Sequence, residues 1–365
     1  MRWKKGSPDY ILILTILLLL SIGIIMVFSA SAYSAMLDKG DRFFYLKRQV
    51  LWTLISLPIM AFVMNIDYFR LKRFAGLFLI ISLVILFLVP VIGVSKYGAT
   101  RSIDLGVIAF QPSELVKPIA AMFMAKSLSD NQAYLHQLFK GLFPQLLTLA
   151  IIVGLIMAQP DLGTAVAVAG ACFVMFIAAG VRLAHLFPLG LIGLGGTAIL
   201  IASEEYRMRR ILAFLAPEKD PTGAGFQIIQ SLMALGSGGL FGMGLGEGRQ
   251  KLLYIPERHT DFIFAIIGEE LGFIGITVVI ILFAILVWRG FRIAVNAPDI
   301  YGSLLAVGLT TMVVLPAVIN MGVVSGSLPI TGIALPFISY GGSSLLFTLI
   351  GMGMLLNISC YGTQR

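Results

Sequence analysis

Charge is what this sequence has least of. Only 12% of its 365 residues are Asp, Glu, Lys or Arg, against about 25% in a soluble domain. A soluble fold could not cover itself with so few charges. Disorder is excluded as well, because 58% of the residues are apolar and the mean hydropathy is +0.97, whereas disordered chains combine low hydrophobicity with high net charge. Cysteine is nearly absent. Cys172 and Cys360 both lie in or beside apolar runs, and no CxxC or Cys/His cluster suggests a disulfide framework or a metal site. Nucleotide and hydrolase signatures are missing too: there is no GxxxxGK[ST], HExxH or GxSxG, and no Asp-x-Asp pair. The glycine-rich stretch 236–248 never satisfies GxGxxG. The formal GxGxxA match beginning at Gly193 lies inside an apolar run rather than after a strand.

What the sequence does have is long apolar runs. Ten of them, roughly 10–33, 48–66, 74–94, 112–128, 142–158, 162–180, 183–202, 262–288, 302–325 and 338–358, are each close to the ~20 residues that span a bilayer. The reading is an all-α polytopic integral membrane protein with about ten transmembrane helices. One membrane domain covers 1–365, with a large extracytoplasmic loop, about 203–260, between helices seven and eight. The first run contains Ala30-Ser31-Ala32, which could pass for a leader cleavage site, but it is longer than the about 7–15 residues of a signal h-region. It reads as a retained span.

The net charge of +8 is assigned to topology and anionic lipid, not to nucleic acid. With the amino terminus inside, short inner segments carry twelve Lys and Arg and short outer segments six. This places both termini in the cytoplasm by the positive-inside rule. Nearly all polar chemistry then faces outward.

Several runs carry ionisable groups. Glu114 and Lys117 lie one helical turn apart in the fourth. Asp161 opens the sixth, and Asp261 opens the eighth with Glu269 and Glu270 about two turns further along. Each such group costs at least ~2.5 kcal/mol inside a bilayer and so marks a cavity or pathway, unless it is simply hydrated at the interface, a reading that Asp161 leaves open. In the long loop, Arg207 and Arg210 precede Ile211, Leu212, Phe214 and Leu215, the pattern of an interfacial amphipathic helix. Guanidinium forks match phosphate bidentately; anchoring to lipid headgroups is the alternative use. No inverted repeat relates the first five runs to the last five, which weighs against a secondary transporter.

Five strings carry a specific resemblance. QPSEL (111–115), QPDLGT (159–164), YRMRRILAFLAPEKDPTGAGFQIIQS (206–231), PERHTDFIFAIIGEELGFIG (256–275) and LPFISYGGSS (335–344) resemble, in that order, the SEDS family of RodA, FtsW and SpoVE. The details are nearest to the FtsW/SpoVE branch. The resemblance implies a peptidoglycan glycosyltransferase in the bacterial cytoplasmic membrane, acting in cell division or sporulation. Such an enzyme polymerises lipid II, an undecaprenyl-pyrophosphate-linked disaccharide-pentapeptide, on the outer face. It implies a class B penicillin-binding protein (a transpeptidase) as partner, alongside other divisome or elongation proteins. It gives Asp261 of the HTDF string the catalytic role. The substrate-binding candidates are Arg101, Glu114, Lys117, Arg207, Arg210, Gln230, Ser231, Lys251, Glu257, Ser339 and Ser343. Two departures stand out: Ser102 where many members carry Trp, and Thr331 where some carry Lys.

The chemistry fits these residues on its own terms. Glycan extension needs a base for the attacking sugar hydroxyl, and a partly desolvated carboxylate is a stronger base than a hydrated one. The departing diphosphate needs fixed positive charge. No cofactor is firmly implied; a divalent cation, Mg²⁺ or Mn²⁺, is left open, and no metal ligand set is assigned. His259, two residues before Asp261, is the rival base. The rival functions are a lipid II flippase, which would need polar access from both faces, and a non-catalytic scaffold for the transpeptidase, which would not need Asp261.

Overall fold

The computed structural model describes residues 6–96, 99–104, 109–220, 222–250 and 258–362, with only the backbone described at 94–96, 99, 100, 104, 109 and 139. Each of the ten apolar runs lies on a helix. In chain order these are α1 (Tyr10–Lys39), α2 (Phe44–Asn65), α3 (Tyr68–Ile92), α4 (Pro112–Asp130), α5 (Phe143–Met157), α6 (Leu162–Ala178) and α7 (Leu183–Ala202). There follow α8 (Glu205–Leu215) and α9 (Ala224–Ser237) in the long loop, then α10 (Ile263–Asn296), α11 (Ile300–Val324) and α12 (Gly342–Ser359). Among the described residues, eight helices are long and apolar enough to cross a membrane; α6 is shorter at 17 residues, and α4 carries Glu114 and Lys117 within its 19. The protein is membrane-embedded. One element departs from the all-helical expectation: β1 (Val94–Lys96), β2 (Ala99–Asp104) and β3 (Ala109–Phe110) form a small antiparallel sheet in that order between α3 and α4.

Polar contacts sort the helix ends into two sets. At one end, Asp9 caps α1, accepting from Leu12 N at 3.0 Å, and pairs with Arg289 of α10 at 2.5 Å. The Asp9 amide donates to Ser359 Oγ at 3.0 Å, and Gly6 N donates to the Cys360 carbonyl at 2.7 Å. The start of α1 and the end of α12 therefore meet, which requires an even number of crossings between them. On that side Tyr68 Oη also donates to Asp299, the cap of α11, at 2.5 Å, and Lys72 pairs with Asp130 at 2.7 Å. The acidic residues Asp9, Asp67 and Asp299 thus recur as N-caps, where a carboxylate takes up orphan backbone N–H groups and meets the positive end of the helix dipole.

The interior is built around α11, with α4, α6, α10 and α12 packed on it. Most of α11 and α12 is buried, whereas α7 is almost wholly exposed, as a lipid-facing helix should be. Helix α10 is broken at Gly272, where φ is 67° and ψ −163°. The glycine-rich segment repairs the break. Phe273 N and Ile274 N donate to the carbonyls of Gly239 and Leu240 at 2.9 and 3.2 Å, while Met243 N and Gly244 N donate to the carbonyls of Glu269 and Glu270 at 2.9 and 3.1 Å. Glycine is required at 242, which has φ 82° and where a Cβ would stand 2.1 Å from the Glu270 carbonyl oxygen. The stretch that failed as a nucleotide motif is backbone packing.

Glu269 and Glu270 belong to the same repair. Glu269 accepts from the amides of Arg249 and Gln250 at 2.7 and 3.1 Å, and Glu270 accepts from Gly246 N at 3.1 Å and from Ser29 Oγ of α1. Both side chains are buried. Their carboxylates are spent on backbone amides and Ser29, and neither lines the cavity described next.

Candidate active site

The other set of helix ends holds the site. Four connections meet there: the sheet between α3 and α4, the turn 158–161, the turn before α10, and the segment 325–341 before α12. They enclose a cavity of about 250 Å³ whose lining includes Arg101, Glu114, Lys117, Asp161, Asp261 and Ser343. A second cavity of about 190 Å³ adjoins it, with Arg101 and Asp161 common to both. It is more apolar and adds Tyr206, Arg207 and Arg210.

Each polar group has a local reason to be where it is. Gln111 ends the sheet region and Pro112 opens α4 at a position that needs no N–H, so Glu114 lands on the first turn facing inward. Its Oε1 pairs with Lys117 Nζ at 2.7 Å, and its Oε2 is buried without a partner among the described residues. Asp161 caps α6: its carboxylate accepts from Thr164 N at 3.1 Å, Thr164 Oγ1 at 2.9 Å, and Ser113 Oγ and Gln111 Nε2, each at 3.3 Å. Thus the QPSEL and QPDLGT strings are hydrogen-bonded to each other. Asp161 is buried and fully engaged, so simple interfacial hydration does not describe it.

Arg101 on β2 is held by carbonyls of the neighbouring turn, Gln159 at 3.2 Å and Pro160. Arg207 donates to the Leu200 carbonyl at 2.7 Å, and Arg210 to the Ile330 carbonyl at 3.2 Å while lying over the Tyr206 ring at 4.4 Å. Burial holds the Arg210 pKa below the usual guanidinium value, opposed by Tyr206 and Asp261, with Arg101 adding to the lowering. Gly332 stands between the two halves of the site. A Cβ at this position (φ 75°) would lie 3.5 Å from Asp261 Oδ2 and 3.8 Å from Arg210 Nη1.

Not every sequence candidate reaches the cavity. Ser231 is fully buried and donates to the Val324 carbonyl at 2.8 Å, joining α9 to α11; neither it nor Gln230 lines either cavity. Ser339 spends its hydroxyl on backbone, donating to the Thr260 carbonyl at 2.6 Å and accepting from Leu335 N at 2.8 Å. Lys251 and Glu257 lie outside the described residues. His259 is packed between Tyr45 and Tyr340, with ring centroids 4.5 and 5.7 Å away, and does not line the cavity. The candidates read from the sequence do not include Gln111, Thr260, Gly332, Ser344 and Thr348, which do line it, and leave Asp161 open between hydration and a functional role. The strings containing Gln111, Asp161 and Ser344 were the available signal for those three.

A family model described as a cell cycle protein, for FtsW, RodA and SpoVE, matches residues 9–364. The chain belongs to this family. It is 50% identical to stage V sporulation protein E of Bacillus subtilis over 99% of both chains. It is 47% identical to a probable peptidoglycan glycosyltransferase FtsW of Geobacter sp. over 98% of both. Among solved structures, a chain from a study titled for the structural coordination of polymerization and crosslinking by a peptidoglycan synthase complex superposes with a TM-score of 0.81 at 32% identity, covering 98% of this chain and 99% of that one. The rod shape determining protein RodA of Thermus thermophilus gives 0.74 at 29%, with the same coverage. Family membership thus rests on the whole length of the chain, the HTDF and QPSEL strings included.

Among the described residues, no three His, Cys, Asp or Glu side chains group to hold a metal, and Asp161 is already committed to α6. Positive charge at the cavity comes from Lys117 and Arg101, continued by Arg207 and Arg210.

Proposed function

We propose that this protein is a peptidoglycan glycosyltransferase that polymerises lipid II at the outer face of the bacterial cytoplasmic membrane. The carrying observation is that Asp261 shares one cavity with Arg101 and the Glu114–Lys117 pair, beside a second cavity bearing Arg207 and Arg210. Asp261 accepts the proton from the acceptor sugar's hydroxyl as the oxygen attacks the anomeric carbon of the donor. The bond from that carbon to the diphosphate oxygen breaks in the same displacement, so the anomeric centre inverts and no covalent glycosyl-enzyme forms. The departing lipid diphosphate takes the electron pair, and Arg101, Lys117, Arg207 and Arg210 stabilise its charge without reorganising. The more apolar second cavity suits the start of a polyprenyl chain, which a membrane-embedded site can pass directly into lipid.

The same reading assigns ten crossings with both termini cytoplasmic, consistent with the meeting of the first and last helices at the end opposite the site. The partner is a class B penicillin-binding protein, which would crosslink the strands as they emerge. The test is polymerisation of lipid II by the purified protein reconstituted with that partner, resolved as a ladder of glycan strands. Flipping of lipid II across vesicles without polymer would overturn the reading.

A further inference from the structure

The turn that carries Asp261 is fastened through its carbonyl oxygens. Tyr340 N donates to the His259 carbonyl at 2.9 Å, Ser339 Oγ to the Thr260 carbonyl at 2.6 Å, and Asn320 Nδ2 to the Asp261 carbonyl at 2.7 Å. Three successive carbonyls are therefore taken by groups from 320–340. Each of the two side chains also grips the segment that forms the opposite wall. Asn320 Nδ2 makes a second bond to the Ile333 carbonyl, again at 2.7 Å, and Ser339 Oγ accepts from Leu335 N. Both side chains are buried, Asn320 at 1% exposure. Asn320 sits in an otherwise apolar stretch of α11, where an amide has no solvation to gain and an unmatched donor would cost about 1–3 kcal/mol.

We infer that Asn320, supported by Ser339, is a positioning residue for the glycosyl transfer: it fixes the Asp261 backbone against the Ile333 wall. Gly332 precedes Ile333, so one amide nitrogen sets the carboxylate of Asp261 and the surface next to Arg210 in common register. This rests on Asp261 being the base. Neither Asn320 nor Ser339 lines the cavity, so neither has to touch substrate. The consequence is a specific kinetic signature. Loosening the turn misplaces the base relative to the wall, while Arg101 and Arg207 stay tethered to the carbonyls of Gln159, Pro160 and Leu200 to bind the diphosphate, and a displacement near 1 Å costs on the order of a hundredfold in rate.

The experiment is steady-state lipid II polymerisation by the full-length protein with its transpeptidase partner, for Asn320→Ala, Asn320→Asp, Ser339→Ala and Ser339→Thr, with thermal unfolding in detergent alongside. Asn320→Asp keeps the shape and removes the donor. The expected result for both Asn320 variants is a kcat lowered about tenfold to a hundredfold, with KM for lipid II essentially unchanged. Ser339→Ala should show a smaller loss of the same kind, and Ser339→Thr, which keeps a hydroxyl, should restore it. Folded Asn320 variants with wild-type kcat, or a loss confined to KM, would overturn the inference. If the Asn320 variants do not fold, equal kcat for Ser339→Ala and Ser339→Thr would overturn it instead. Asp261→Asn measured in parallel separates the two levels: full activity there removes the base assignment, whereas its inactivity beside a normal Asn320→Asp removes only the positioning role.

Discussion

Removing Lys117 alone should be worse for the protein than removing Lys117 and Glu114 together. Their ion pair is 2.7 Å long and largely buried, with side-chain exposures of 17% and 9%. At that distance and an effective dielectric of about 20, the Coulomb attraction is about 6 kcal/mol, and much of it offsets the desolvation of two charges. What survives is asymmetric. Deleting one partner leaves the other charge stranded and costs about 3–5 kcal/mol, whereas replacing both with apolar or neutral groups of like volume is often close to neutral. Glu114 is already short of partners, since its Oε2 has none among the described residues, so Lys117→Met should sit at the upper end of that range. The Glu114→Gln, Lys117→Met double variant should recover most of the loss. The assay is reversible unfolding in mixed micelles as a double-mutant cycle, with polymerisation measured on the folded fraction. Stability should return in the double variant while turnover does not, because a cation facing the diphosphate is still missing. A cycle with no coupling, or a double variant that regains turnover, would refute the reasoning.

Asp9→Asn keeps a competent N-cap but breaks the buried pair to Arg289, so stability should fall by about 3–5 kcal/mol; activity per folded molecule should be unchanged, because the pair lies at the end of the bundle away from the cavity, and comparing the unfolding midpoint with specific activity checks this. Gly332→Ala forces a Cβ into a left-handed backbone at roughly 1–2 kcal/mol and sets it between Asp261 and Arg210; kcat should drop with lipid II still bound, as a turnover and binding pair will show. Single Ala substitutions at Arg101 and Arg210 should each weaken lipid II binding or turnover by about tenfold, the scale of one charge-assisted contact; values within about twofold of wild type for both would move the diphosphate pocket elsewhere.

The membrane-crossing helices were legible because a bilayer imposes both a length and a composition, and all ten apolar runs lie on helices. What the runs could not show was their interruption. Residues 262–288 read as one span, yet α10 breaks at Gly272 because residues 239–244 supply the missing backbone partners, a contact between segments distant in sequence. The small sheet between α3 and α4, and α9 inside the long outer segment, leave no mark in the pattern of apolar runs. At the site, charged residues were the legible part: the cost of an ion in lipid pointed to Glu114, Lys117, Asp161 and Asp261, which share the cavity, but equally to Glu269 and Glu270, which do not line it. Hydroxyls and amides carry no such signal. Ser231 and Ser339 looked like substrate contacts but are spent on backbone carbonyls, while Asn320 was hidden in an apolar run and holds the turn bearing Asp261.

The most direct test of the account is the polymerisation rate of Asp261→Asn in the reconstituted complex. The amide keeps the shape and can still donate and accept hydrogen bonds, but it cannot take the hydroxyl proton at neutral pH. Loss of a general base should lower the rate by about 10²–10⁴-fold, with membrane insertion, partner association and lipid II binding retained. An Asn variant that polymerises lipid II near the wild-type rate would contradict the assignment of Asp261 as the base.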